Sequence, residues 1–315
     1  MWMRETPRSV PSTPQVPTGD DTLIMNGSIA HFYSVYGRWM ERLTVPNGDV
    51  RLALTVEGEG PTVMLLHGWP DTSAMWEEVV PTLVAAGLRV AVPDLRGCGR
   101  SSKPTTTSQY SMRHLVGDVS AMIDALGVER VSLVGHDWGA NLAWASAAFL
   151  PERVERLVAL SVGHPTSFRS AGLEQQIKSW YTLLFAHEGL GEAFLRKNDY
   201  EAMRQWLGHP RVESVIQELE RDGQMSAHLL WYRANIPPEA FVADPPILPP
   251  ILAPTLGIWS SGDRALSERQ MANSGQYCAN GFEFLRLEGY GHWLPLEAPA
   301  VIARSIIDFL GRKSH

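Results

Sequence analysis

The chain has 315 residues, a mass of 34.9 kDa, a formal charge of −7 and a pI near 5.8. That length suits one large core carrying an inserted subdomain, and 44% hydrophobic with 19% charged residues is the make-up of an ordinary globular protein. The acidic balance excludes a general nucleic-acid binder, which needs a basic face, and no apolar run reaches the roughly 18–20 residues of a membrane span.

Residues 1–40 read as an N-terminal extension. Met1 to Asp20 is rich in Pro, Ser and Thr, and Thr22-Leu23-Ile24-Met25 is too short for the apolar region of a signal peptide. The segment is either a loose arm or one that docks through Phe32, Tyr33, Tyr36 and Trp39 on the body or on a second subunit, which leaves a homodimer open. Cys98 and Cys278 are far apart in no metal-ligand spacing, so free thiols in a reducing cytoplasm are expected.

From residue 42 onward strands and helices alternate, which predicts an α/β architecture: a mostly parallel central sheet with helices on both faces. Asp49 to Glu57 alternates (Val50, Leu52, Leu54, Val56) like an exposed antiparallel edge strand. Thr62 to Leu66 is continuously apolar, as in a strand covered on both faces. Ser73 to Ala86 reads as an amphipathic helix, Arg89 to Leu95 as a strand, and Ser111 to Leu126 as a helix with Met112, Leu115, Val119, Met122 and Ile123 on one face. Arg130 to Leu133 is a short buried strand leading into a helix from Ala140 to Leu150, and a further strand covers Arg156 to Val162.

After His164 the rhythm breaks. Residues 164–250 are helical in propensity and rich in Trp, Tyr and Met, and they end at Pro245-Pro246 and Pro249-Pro250. Strands and helices resume with Thr255 to Ser260, Glu283 to Leu287 and Pro299 to Leu310. The expected organisation is a core of residues 41–163 and 251–315 interrupted by a helical cap at 164–250.

The stretch Val134-Gly135-His136-Asp137-Trp138-Gly139-Ala140 carries the most chemical information. Small residues two before and two after a central position mark a nucleophile elbow, which usually holds serine. Here the centre is Asp137, and a carboxylate attacks saturated carbon to leave an ester. Asp263 closes the strand ending at Ser260, and His292 in Gly289-Tyr290-Gly291-His292-Trp293 follows the last strand. Singly, each is an ordinary turn or loop residue. Together they fall at three strand carboxyl ends, where open α/β sheets build their sites. The turn His67-Gly68-Trp69-Pro70 follows another strand, so the backbone N–H groups of Trp69 and Trp138 are the expected oxyanion donors, and Trp69-Pro70 is a candidate cis bond.

With those residues in view, the chain resembles the epoxide hydrolase branch of the α/β-hydrolase family. The resemblance covers roughly residues 42–312 and rests on His67-Gly68-Trp69-Pro70, Asp94-Leu95-Arg96-Gly97-Cys98-Gly99 with Ser101-Ser102, the Gly135–Gly139 elbow, Gly262-Asp263 and Gly291-His292-Trp293. It implies an α/β-hydrolase fold and the chain order nucleophile, acid, histidine. It also implies two cap tyrosines that hydrogen-bond the epoxide oxygen. Tyr232 in Leu230-Trp231-Tyr232-Arg233 and Tyr181 in Ser179-Trp180-Tyr181-Thr182 match those positions, with Tyr200 and Tyr290 as fallbacks.

The expected reaction is the opening of a small apolar epoxide to a vicinal diol through an ester on Asp137, hydrolysed by water that His292 and Asp263 activate. Trp69, Trp138, Trp180 and Trp231 are the expected substrate-binding aromatics. No cofactor or metal is expected: His187-Glu188 begins like a zinc motif, but Gly191 stands where the second His belongs. Haloalkane dehalogenases share the aspartate elbow and remain an alternative, as does a silent hydrolase fold used for binding.

Overall fold

The computed structural model describes residues 22–312 apart from 26–27 and 36–37. Residues 1–21 of the extension, and Tyr36, lie outside the described residues.

Among the described residues, ten strands form one sheet: β1 (Thr22–Met25), β2 (Ser28–Val35), β3 (Arg38–Asn47), β4 (Val50–Glu57), β5 (Thr62–Leu66), β6 (Arg89–Asp94), β7 (Val131–His136), β8 (Val154–Leu160), β9 (Thr255–Ser260) and β10 (Phe282–Leu287). Their order is β1-β2-β3-β4-β6-β5-β7-β8-β9-β10. The first four strands pair antiparallel, β4 meets β6 antiparallel, and from β6 to β10 every pairing is parallel.

The period-two pattern of β4 is present, but β4 is not an edge. Val50, Leu52, Leu54 and Val56 are buried while β3 and β6 flank the strand on its two sides. Strands β1 and β2 and the start of β3 fall within residues 1–40, where a loose or docking arm was expected.

Helices cover both faces. Alternate residues of the parallel strands point opposite ways. Val63, Leu65, Val134, Val158 and Ile258 pack with Leu83 of α1 (Val80–Ala85) and with Ile302 and Ile306 of α12 (Pro299–Leu310). Met64, Leu66, Leu133 and Leu157 pack on the other face with Leu115 and Val119 of α2 (Met112–Ala125) and Leu142 of α3 (Trp138–Phe149). The predicted helix from Ser73 to Ala86 is instead a 3₁₀ turn, Ser73–Trp76, followed by the short α1. Pro81 explains the break: it lacks an N–H and is tolerated only in the first helical turn, where it sits here.

Between β8 and β9 the chain inserts α4 (Pro165–Arg169), α5 (Leu173–Lys178), α6 (Tyr181–Phe185), α7 (Leu190–Glu201), a π-helical stretch Ala202–Leu207, α8 (Val212–Leu219) and α9 (Gln224–Asn235). Two short helices, α10 (Glu268–Ala272) and α11 (Leu294–Glu297), precede α12. Among the described residues no helix is long and apolar enough to cross a membrane. Strand order reverses around β5, which lies between β6 and β7. The crevice of such a sheet opens at that reversal, beyond the strands' carboxyl ends.

Candidate active site

Asp137 occupies a backbone conformation (φ 52°, ψ −119°) that side chains rarely adopt. Glycines on either side make the turn feasible. A Cβ on Gly135 would lie 2.2 Å from the Gly139 carbonyl oxygen, and one on Gly139 would lie 2.1 Å from that of Leu66. The strand β7 therefore passes against the first turn of α3, and Asp137 is lifted to the head of the helix with its side chain toward the crevice.

The turn after β5 meets this carboxylate. Gly68 is confined there, since a Cβ on it would sit 2.4 Å from Asp137 Cβ. Trp69-Pro70 is cis, as the sequence suggested. The Trp69 backbone N–H donates to Asp137 Oδ1 at 2.8 Å, and the Trp138 N–H also bonds the carboxylate. The other oxygen, Oδ2, lies 3.5 Å from His292 Nε2. On the far side of that ring, Nδ1 is 2.8 Å from Asp263 Oδ2. Asp263 is fully buried, and its Oδ1 accepts the N–H groups of Ala265 and Leu266 at 2.9 Å each.

The charges in this line reinforce one another. Burial pushes the Asp137 carboxyl up, yet the His292 hydrogen bond and charge, with the Trp138 N–H, hold it below the usual carboxylate range. Burial pushes His292 down, but Asp263 and Asp137 on either side raise it to about 10. The resting arrangement is thus an imidazolium between two carboxylates. His136, buried beside it, is lowered to about 4 by burial and by the charge of His292, so it stays neutral.

A partly open cavity lies over Asp137 and His292. Tyr181 from α6 and Tyr232 from α9 both line it, along with Trp69. The two rings are 6.2 Å apart and their hydroxyls interact with each other. Both phenols are pushed up, first by burial and then by neighbouring charge, so they remain protonated donors.

Each tyrosine has its own footing on the core. Along α9, Gln224 Oε1 accepts the Gly99 N–H at 2.8 Å, Trp231 Nε1 donates to Arg96 O at 2.9 Å, and Asn235 Oδ1 accepts the Met112 N–H at 2.8 Å. Arg96 is itself locked to Asp118 by a buried two-bond fork at 2.6 and 2.8 Å. Under Tyr181, Gln175 of α5 accepts the Ser267 N–H at 2.8 Å and donates to Ala265 O at 2.9 Å, which joins this helix to the loop that carries Asp263.

Three of the expected aromatics face elsewhere. Trp180 is 41% exposed and packs on Phe194 and Trp206, outside the cavity. Trp231 turns toward Arg96, and the Trp138 ring packs edge-on against Tyr232 and Trp231 without lining the space over the nucleophile. Sequence neighbours on a helix are about 100° apart, so along α9 Trp231 points away from the side on which Tyr232 faces the cavity. Neither Tyr200 nor Tyr290 lines the cavity.

Leu207, Arg264, Ala265 and Trp293 do line it and were not anticipated, and Trp206 lines it too. Trp293 and Arg264 adjoin His292 and Asp263, a signal within reach; the π-helical turn that aims Trp206 leaves no clear pattern. Also unanticipated is His209, whose Nε2 lies 3.2 Å from both carboxylate oxygens of Asp71 and whose ring packs 4.4 Å from Trp293. This contact ties the inserted helices to the turn after β5.

Residues 61–299 match the family model described as the alpha/beta hydrolase fold. The AB hydrolase superfamily protein YfhM of Bacillus subtilis is 31% identical over 264 residues, covering 80% of this chain and 91% of the relative. Epoxide hydrolase A of Mycobacterium tuberculosis is 29% identical over 320 residues, covering 86% and 97%. The crystal structure of epoxide hydrolase A from Mycobacterium thermoresistibile superposes with a TM-score of 0.69 at 26% identity, covering 86% of this chain and 98% of that one.

Proposed function

This chain belongs to the α/β-hydrolase fold family, and we propose that it is an epoxide hydrolase acting on small apolar epoxides. One observation carries the proposal. Two protonated phenols, Tyr232 buried and Tyr181 half-buried, share a single cavity with a carboxylate nucleophile, which is what ring opening of an uncharged cyclic ether requires. The relatives named as epoxide hydrolases support the same substrate class.

The two oxygens of Asp137 have separate tasks. Oδ1 is held by the Trp69 N–H, whereas Oδ2 faces His292. Oδ2 attacks one epoxide carbon from the back, the C–O bond breaks, and the alkoxide takes a proton from Tyr181 or Tyr232. The product is a hydroxyalkyl ester whose carbonyl oxygen is the former Oδ1, already held by the Trp69 N–H, with the Trp138 N–H as the second donor to the oxyanion.

Alkylation cancels the charge of Asp137 and removes one of the two carboxylates that raise His292. The imidazolium then gives up its proton, which restores the phenol that ring opening deprotonated, and the neutral ring removes a proton from water that attacks the ester carbonyl carbon. The oxyanion forms on Oδ1 against its two donors. Collapse expels the diol, and Asp263 holds the imidazole in the tautomer with Nε2 free.

A single turnover in ¹⁸O-labelled water, with enzyme in excess over styrene oxide, tests this path. The first diol carries unlabelled oxygen taken from Asp137, and the label appears in the Asp137 carboxylate. Label in the diol from the first turnover means direct attack by water and removes the ester.

A further inference from the structure

We infer that Glu297 is a positioning residue for His292, pinning the loop backbone so that the imidazole reaches Asp263 and Asp137 together. This role presupposes His292 as the base of the ester-hydrolysis step proposed above. The segment from residue 288 to residue 293 has no helix or strand of its own to hold it. Glu297 closes the four-residue α11 and turns its carboxylate back onto that segment. Oε2 accepts the Gly291 N–H at 2.6 Å and Oε1 accepts the Trp293 N–H at 3.0 Å. These are the two peptide N–H groups on either side of His292.

The opposite side of the same backbone is held as well. The His292 carbonyl oxygen accepts from His136 Nε2 at 2.8 Å and from Ser161 Oγ at 3.0 Å. Ser161 stands just past β8 in the left-handed region, at φ 68°. Donors from two neighbouring strand ends thus grip the carbonyl, while the Glu297 carboxylate grips the flanking N–H groups. Gly291 is fitted to this grip: a Cβ there would lie 2.8 Å from Glu297 Oε1.

Nothing in the reaction calls on Glu297 directly, and it does not line the cavity over Asp137. Its effect passes through the backbone. A carboxylate offers two acceptors in one plane, which suits two N–H groups two residues apart. Glutamine of equal size offers one, and sets its NH₂ against the other N–H.

The test measures the two half-reactions of Glu297→Gln with styrene oxide by quenched flow and intact-protein mass. Formation of the Asp137 ester should stay within about twofold of wild type, while its hydrolysis slows about 10- to 100-fold, the usual cost of a small misplacement of a reacting group. The pH at which hydrolysis is half-maximal should fall, because an imidazole displaced from Asp263 keeps less of the interaction that raises it. Glu297→Asp, which keeps two acceptor oxygens on a shorter arm, should recover part of the loss, and it serves alone if the glutamine variant does not fold. Hydrolysis within twofold of wild type, or an equal fall in both half-reactions, overturns the role. Absence of any ester in both wild type and His292→Gln overturns instead the epoxide-opening reaction, and the role of Glu297 falls with it.

Discussion

Replacing Asp263 by asparagine separates the two halves of the proposed reaction. The side chain is fully buried, and one oxygen is committed to the N–H groups of Ala265 and Leu266 at 2.9 Å while the other meets His292 Nδ1 at 2.8 Å. Asparagine fits the space but has one oxygen. If that oxygen keeps the two backbone donors, the NH₂ faces Nδ1, and the ring must carry its proton on Nε2, where it can no longer act as a base. If it turns to the histidine, the NH₂ meets two N–H groups with no acceptor for either, which costs about 1–3 kcal/mol for each buried group left unpaired. The first arrangement is the cheaper one. Loss of the correct tautomer in such dyads costs about 1,000- to 10,000-fold, or about 4–5.5 kcal/mol of barrier. That loss should fall on ester hydrolysis, since attack by Asp137 needs no base. Rapid-quench mass spectrometry on Asp263→Asn should therefore show the ester forming and persisting. Hydrolysis at the wild-type rate, or formation and hydrolysis slowed alike, would refute the assignment of Asp263 and His292.

Tyr232→Phe and Tyr181→Phe should each slow ring opening about 10- to 100-fold with ester hydrolysis unchanged, because one phenol remains in each variant; stopped-flow tryptophan fluorescence reads this, and a slowed second step would count against the donor role. Hydrolysis of the ester should rise with pH and level off, with its inflection below the value of about 10 that His292 has in the free enzyme, since the ester no longer bears the charge that helped hold the proton; NMR titration of His292 in the free enzyme and in an Asp137-alkylated form gives the comparison. Asp118→Asn breaks the buried fork to Arg96, both side chains being 3% exposed, and should cost about 3–5 kcal/mol in denaturant unfolding; a loss under about 1 kcal/mol would mean the pair does not anchor the loop beneath α9.

The parallel core was legible because its strands are buried on both faces. Thr62–Leu66 and Thr255–Ser260 fall on the residues expected, and Pro299 at the first turn of α12 marks its start. The antiparallel run β1–β3 was not, because residues that could equally dock an arm mask their alternation behind an extension rich in Pro and Ser. Asp137, Asp263 and His292 are brought together from three strand ends, where motif spacing points to them. The aromatic residues were harder to read. Trp180 and Trp231 stand beside the tyrosines in sequence, but the helix turns them to other surroundings, while Trp206 and His209 reach the site through packing that no local pattern encodes.

The central claim is a covalent ester on Asp137 formed from an epoxide. Intact-protein mass spectrometry of His292→Gln after incubation with styrene oxide tests it most directly, because that variant keeps the nucleophile and phenols but lacks the base that clears the ester. A mass gain equal to one whole epoxide, mapping to the peptide that contains Asp137, is the predicted result. A folded variant that stays unmodified while the wild type turns the same epoxide over would contradict the account.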